Sequence, residues 1–147
     1  MTTQLQSKPR VRLILLAYAD VFLLYGAASL VFPEAVARLT EIQLSTASAL
    51  ADLRGLYGGL SLGLGALFLQ CARKPEWAAP GLYVAMMCSV LPAAARLYSA
   101  LVSGMPSALV VSFFAIELVS FAIVLGVYRG LSSGDSSHPH AAVQAVG

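Results

Sequence analysis

Apolar residues along this chain gather into four long runs separated by short polar segments. The runs occupy residues 13–32, 50–69, 81–102 and 107–126. A helix rises about 1.5 Å per residue, so about 20 apolar residues are enough to cross about 30 Å of hydrocarbon. The pattern predicts four transmembrane helices.

The segments that connect the runs are too short to hold a second domain. The first connection begins with Pro-Glu-Ala-Val-Ala-Arg-Leu from Pro33. A proline in the first turn and a mixed polar and apolar pattern predict a short helix lying along the membrane interface. The predicted organisation is a basic cytoplasmic N-terminus (1–12), a domain of four transmembrane helices (13–128) and a disordered cytoplasmic tail (129–147).

Composition agrees with a membrane protein and excludes several other classes. Hydrophobic residues make up 59% of the chain and charged residues 11%, and the mean hydropathy is +0.80. A soluble domain carries roughly 25% charged residues. The net charge of +2 is too small for a nucleic-acid-binding surface. We therefore expect an all-α integral membrane four-helix bundle whose surroundings are the lipid bilayer, with no nucleic-acid partner.

The distribution of basic residues predicts the orientation of these helices. Cytoplasmic loops are enriched in Lys and Arg. Basic residues precede the first run and follow the second and fourth runs, at Lys8, Arg10, Arg12, Arg73, Lys74 and Arg129. The first loop has only Arg38, which lies near Glu34 and Glu41. Both termini are therefore predicted to be cytoplasmic.

Common motifs for metals, cofactors and covalent chemistry are absent from the sequence. The two cysteines, Cys71 and Cys88, form no CxxC pair, and no phosphate-binding glycine loop or nucleophile elbow occurs. His138 and His140 lie in the polar tail without further metal ligands nearby. We expect no metal site and no cofactor.

Charged residues inside the apolar runs are the candidate functional residues. A charge at the centre of a membrane helix costs about 2.5 to 3.5 kcal/mol, so such residues are usually paired or functional. The predicted intramembrane charge network consists of Asp20, Asp52, Arg54, Arg96 and Glu117. The depth of each residue below the membrane surface, counted at about 1.5 Å per residue, predicts that Glu117 pairs with Arg96 or Arg54, whereas Asp20 has no evident partner.

Small residues on the second run predict a helix contact. Gly55, Gly59 and Gly63 recur every four residues on one side of a helical wheel, which also holds Gly58 and Gly65, and leucines fill the opposite side. Such spacing lets a second helix approach closely. We expect the glycines to face protein and the leucines to face lipid. A stripe of small residues on the last run is a candidate contact with a second subunit (Ala108, Ser112, Ala115, Ala122 and Gly126).

The most specific pattern is residues 52–59, Asp-Leu-Arg-Gly-Leu-Tyr-Gly-Gly, followed by Gly63-Leu64-Gly65. With Arg96, Gly104-Met105-Pro106-Ser107 and Glu117, it resembles the signature of a bacterial family of small four-span inner-membrane proteins of unknown function. The resemblance covers about residues 11–127 and implies this architecture and location, but no activity. The chain departs from the family at Ser103, where the family has an acidic residue.

Three kinds of function fit these observations. The leading hypothesis is a structural or accessory membrane component that works with a homo-oligomeric or other membrane-protein partner. The alternatives are a protein that binds a lipid, isoprenoid or quinone, and a small proton-coupled transporter that acts as an oligomer and uses Glu117 and Asp20. An enzyme is the least favoured, because the apolar runs contain no histidine that would act as an acid or base.

Overall fold

The computed structural model describes residues 9–132, and all regular secondary structure in this range is helical. Its elements are α1 (Pro9–Val31), α2 (Pro33–Leu39), α3 (Ala47–Asp52), a π-helical segment (Leu53–Gly59), α4 (Leu60–Arg73), a 3-10 turn (Pro75–Trp77), α5 (Ala78–Ser103) and α6 (Ala108–Ser132). The prediction of an all-α fold is confirmed.

Four helical stretches are long and apolar enough to cross a membrane: Pro9–Val31, Ala47–Arg73, Pro75–Ser103 and Ala108–Gly130. They match the four predicted runs to within a few residues at most ends. Helix α1 begins inside the segment predicted to be the N-terminus, and α6 continues to Ser132, past the predicted start of the tail. The predictions for residues 1–8 and 133–147, including His138 and His140, lie outside the described residues.

The short helix predicted in the first connection is present as α2. Pro33 lies in its first turn with Glu34, and Arg38 lies in its last turn. Acidic residues at the start and basic residues at the end of a helix interact favourably with its dipole. The hydroxyl of Thr40 then donates a hydrogen bond to the carbonyl of Val36 (2.9 Å), which satisfies a carbonyl near the end of the helix.

Helices α1 and α4 pack closely because glycines lie between them. A β-carbon added to Gly65 would lie 2.6 Å from Cγ of Leu23, and one added to Gly58 would lie 2.6 Å from Cδ2 of Leu30. From the side of α1, a β-carbon on Gly26 would lie 2.9 Å from the carbonyl oxygen of Gly58. The absence of side chains at these three positions therefore sets the distance between the helices.

Gly58 and Gly65 belong to the glycine side that the helical wheel predicted to face protein, but the three glycines at four-residue spacing do not lie in this contact. Gly55, Gly59 and Gly63 are exposed, and a β-carbon on Gly55 or Gly63 would meet nothing within 4 Å. Leu53 and Phe68, expected to face lipid, are buried. Gly63 and Phe68 both lie in the regular helix α4, so the π-helical turn does not account for their exchanged faces. Leucine and phenylalanine are as apolar as the lipid tails, so the wheel does not separate a core side from a lipid side, and the predicted division does not hold for these residues within this chain. Contact of these glycines with another molecule stays a prediction.

The core lies between α1, α4 and α5, with one contribution from α6. Its fully buried side chains include Leu15, Phe68, Leu82 and Val124. The hydroxyl groups of Tyr18 and Ser89 are 2.6 Å apart and join α1 to α5 by a hydrogen bond. Helix α6 packs mainly on α5, and its predicted stripe of small residues is exposed (Ala108, Ser112, Ala115, Ala122 and Gly126).

Candidate functional site

An ion pair joins the last two helices within their apolar segments. Nη1 of Arg96 on α5 donates a hydrogen bond to Oε1 of Glu117 on α6. The two side chains are 33% and 18% exposed, respectively. This contact confirms one of the two pairings predicted for Glu117.

The connection between α5 and α6 brings the two charges to the same level. Helix α5 ends at Gly104, whose φ of 94° is a left-handed conformation that glycine accepts without a steric penalty. At the start of α6, the hydroxyl of Ser107 accepts a hydrogen bond from the backbone N–H of Val110 (3.5 Å). Arg96 lies about two turns before this connection and Glu117 nearly three turns after it, so the long side chain of Arg96 reaches the carboxylate on the neighbouring helix.

The guanidinium of Arg96 contacts an aromatic ring of α6 as well as a carboxylate. Cζ of Arg96 lies 5.9 Å from the centre of the Phe113 ring, a distance typical of a cation–π interaction. Phe113 and Glu117 are four residues apart and therefore share one face of α6. The second carboxylate oxygen of Glu117, Oε2, is buried and has no hydrogen-bond partner among the described residues.

The residues of the Asp-Leu-Arg-Gly-Leu-Tyr-Gly-Gly pattern adopt an unusual backbone. The seven residues Leu53–Gly59 form a π-helical segment, which ends where the N–H of Leu60 bonds to the carbonyl of Gly55. π-Helical turns are rare and are often found at functional sites. The segment contains three glycines, which leave room for its wider backbone turn. The distinctive sequence and the distinctive backbone therefore coincide.

Two tyrosines that the sequence analysis did not single out connect this segment to α1. The rings of Tyr25 on α1 and Tyr57 in the π-helical segment meet edge to face, 6.3 Å apart. Tyr57 lies within the pattern of residues 52–59, and that pattern could have identified it from the sequence. Tyr25 lies in α1, where no sequence pattern distinguished it from the other aromatic residues.

The other three predicted charges do not join this pair. Asp20, Asp52 and Arg54 are exposed, and their side chains form no ion pair or hydrogen bond with the residues that the structure describes. The structure thus brings together two of the five charged residues. The remaining three lie on the surfaces of α1, α3 and the π-helical segment.

No group of three His, Cys, Asp or Glu side chains within the described range is arranged to hold a metal ion. Cys71 is a buried free thiol, and Cys88 is a half-buried one. The candidate site therefore consists of a guanidinium, a carboxylate and the aromatic residues near them.

Comparison with known proteins gives one match. The model of a family described as a domain of unknown function (DUF4345) matches residues 11–128. No curated protein and no solved structure matches the chain. The matched range begins in α1 and ends in α6, so it contains the ion pair and the π-helical segment.

Proposed function

Since this chain belongs to the DUF4345 family, whose matched region covers all four long apolar helices, we propose that it is a multi-pass protein of the bacterial inner membrane. In this proposal both termini are cytoplasmic. The protein acts as a structural or accessory component that stabilises or regulates a membrane partner.

The ion pair between Arg96 and Glu117 is the observation that carries this proposal. An isolated charge in hydrocarbon is costly, whereas a paired one restrains the two helices that hold it. Arg96 donates a hydrogen bond to Glu117, and its guanidinium carbon lies over the ring of Phe113. These contacts all serve to fix α6 against α5, which is the role expected of a structural element.

The orientation is supported by the ends of the helices. Basic residues lie where α1 starts, where α4 ends and where α6 ends, at Arg10, Arg12, Arg73, Lys74 and Arg129. The opposite end, which contains α2, has Glu34 and Glu41 beside Arg38. This asymmetry favours the first end as the cytoplasmic one.

A charge-exchange experiment tests the structural role. Arg96→Ala and Glu117→Ala are each expected to lower the yield of monodisperse protein, because a charge-assisted hydrogen bond contributes about 1.5 to 3 kcal/mol. The double variant Arg96→Glu/Glu117→Arg should recover part of the yield, since it restores an ion pair. The matched control is Arg54→Ala, which removes an exposed arginine without an ion-pair partner. Size-exclusion chromatography of detergent extracts provides the measurement.

Equal yields for Arg96→Ala and Arg54→Ala would contradict the structural role. Normal folding of Arg96→Ala combined with loss of a co-purifying lipid, detected by native mass spectrometry, would favour a ligand site instead. Proton flux into liposomes that Glu117→Gln abolishes would indicate a transporter.

One observation favours binding of a lipid, isoprenoid or quinone as the second candidate function. Oε2 of Glu117 is a buried acceptor without a partner among the described residues. The hydroxyl of an isoprenoid alcohol or of a reduced quinone is a suitable donor for that oxygen. A quinol retained by the purified protein but lost from Glu117→Gln, with unchanged folding, would support this alternative.

A further inference from the structure

A second site lies at the opposite end of the helices from the turn between α5 and α6. A pocket of about 420 Å³ is formed by the start of α1, the end of α4 and the start of α5. Its walls include the buried apolar residues Leu15, Cys71 and Ala78. Pockets that hold small ligands commonly have volumes of about 300 to 1,000 Å³, so this one is large enough for a headgroup.

Two arginines also line this pocket. Arg12 comes from α1 and Arg73 from the end of α4, and both are exposed. Neither forms an ion pair with the residues described here. The neighbouring Lys74 instead lies over the ring of Trp77, with Nζ 5.7 Å from the ring centre. The pocket therefore combines apolar walls with two guanidinium groups whose charge is not neutralised by any residue between 9 and 132.

This combination fits one chemical class. A guanidinium binds a phosphate through two parallel hydrogen bonds, and apolar walls accommodate the hydrocarbon beside it. Basic pockets between helices at a cytoplasmic membrane surface bind anionic lipid headgroups. Trp77, exposed at the same end, is a residue type enriched at the level of the headgroups.

We propose that Arg12 and Arg73 bind the phosphate of an anionic phospholipid, and that the first part of its hydrocarbon lies against Leu15 and Ala78. The site rests on the membrane location proposed above but is independent of the pair formed by Arg96 and Glu117. It gives the protein a preference for anionic lipid at the end where its basic residues gather.

Lipid binding to the full chain in detergent tests this site. Native mass spectrometry measures binding of phosphatidylglycerol and of phosphatidylcholine as each lipid is added. Arg12→Gln/Arg73→Gln should weaken phosphatidylglycerol binding by roughly thirtyfold and remove the preference over phosphatidylcholine. Arg10→Gln/Lys74→Gln is the matched control, because it removes two positive charges from the same end but from residues that do not line the pocket.

A variant that leaves the charge unchanged separates the pocket from the general charge of this end. Ala72 lines the pocket and is half-buried, so Ala72→Leu should fill part of it and weaken phosphatidylglycerol binding. The thermal midpoint of each variant without added lipid shows that it is folded. Inorganic phosphate at millimolar concentration should not displace the lipid, because it lacks the hydrocarbon.

Equal losses in the two charge variants, or no preference for phosphatidylglycerol in the original protein, would overturn the proposal. Displacement of the lipid by inorganic phosphate would also overturn it, since the occupant would then be a free phosphate compound. Extraction of the protein from membranes by alkaline carbonate would instead contradict its proposed membrane location. The two failures are therefore distinguishable.

Discussion

At the scale of single residues, the packing of α1 on α4 depends on which glycines lie between the helices. Gly65→Ala is expected to lower the free energy of unfolding by about 1 to 3 kcal/mol, a usual cost of overpacking. The added methyl would lie 2.6 Å from Cγ and 2.9 Å from the backbone nitrogen of Leu23, and the backbone cannot move aside as a flexible side chain does. Thermal unfolding in detergent measures the change.

Gly63→Ala is the matched control for that substitution. Gly63 lies on the same helix, but an added β-carbon meets nothing within 4 Å. Alanine has the higher helix propensity, by about 1 kcal/mol, so this variant should be as stable as the original protein or more stable. Equal destabilisation by both substitutions would show that Gly65 is not a close contact.

Loss of the hydrogen bond between Tyr18 and Ser89 should destabilise the protein less than Gly65→Ala does. Tyr18→Phe removes the phenolic hydroxyl, while the hydroxyl of Ser89 still has the carbonyl of Ala85 as an acceptor at 3.0 Å. We expect a loss of about 0.6 kcal/mol, as found for hydrogen bonds between membrane helices. Tyr83→Phe, at an exposed tyrosine on the same helix as Ser89, should change the thermal midpoint less. A larger shift for Tyr83→Phe would contradict this assignment.

At the scale of elements, hydropathy predicted the long helices well because helix length in a membrane protein follows from the thickness of the hydrocarbon. A proline in the first turn correctly predicted the helix that begins at Pro33, and the cost of an isolated charge in hydrocarbon correctly predicted that Glu117 is paired. The helical wheel predicted the facing of the second stretch only in part, because leucine and phenylalanine pack as readily in the protein core as against lipid, and a wheel does not distinguish the two. Nor did it find Gly26, which packs against Gly58 but belongs to no repeated pattern on α1.

The π-helical segment should tolerate the loss of one residue better than a regular α-helix does. A π-helical turn contains about one residue more than an α-helical turn, so removing Gly55 would favour an α-helical turn and leave the buried Leu53 facing as it does now. Removing Gly63 from α4 would instead rotate the preceding residues by about 100° and turn Leu53 away from its contacts, at a cost of about 2 kcal/mol or more. Gly55→Ala keeps the number of residues and fills open space, so it should leave the thermal midpoint nearly unchanged.

Equal destabilisation by the Gly55 and Gly63 deletions would contradict this account of the segment. Circular dichroism provides a second readout, because both variants should keep their helix content. A fall in the thermal midpoint without a fall in helix content would indicate that the facing of the helices has changed.

At the scale of the whole molecule, charge differs between its two ends, and this difference predicts how it lies in the membrane. Ser45 is exposed between α2 and α3, at one end, and Glu76 is exposed in the 3-10 turn, at the other. In a variant lacking both cysteines, Ser45→Cys should react with a membrane-impermeant maleimide in intact cells that have a permeable outer envelope. Glu76→Cys should react only after the inner membrane is opened, since basic loops stay cytoplasmic.

The cysteine-free parent of these variants carries Cys71→Ala and Cys88→Ala. It should not be labelled under either condition, and it is therefore the control for this measurement. The reverse pattern would place the arginines of the pocket outside the cell, where the positive-inside rule disfavours them. Labelling of both positions in intact cells would mean that the chain does not separate two compartments. The predicted pattern would place Arg12 and Arg73 at the cytoplasmic surface, whose negative potential draws basic residues toward anionic lipid.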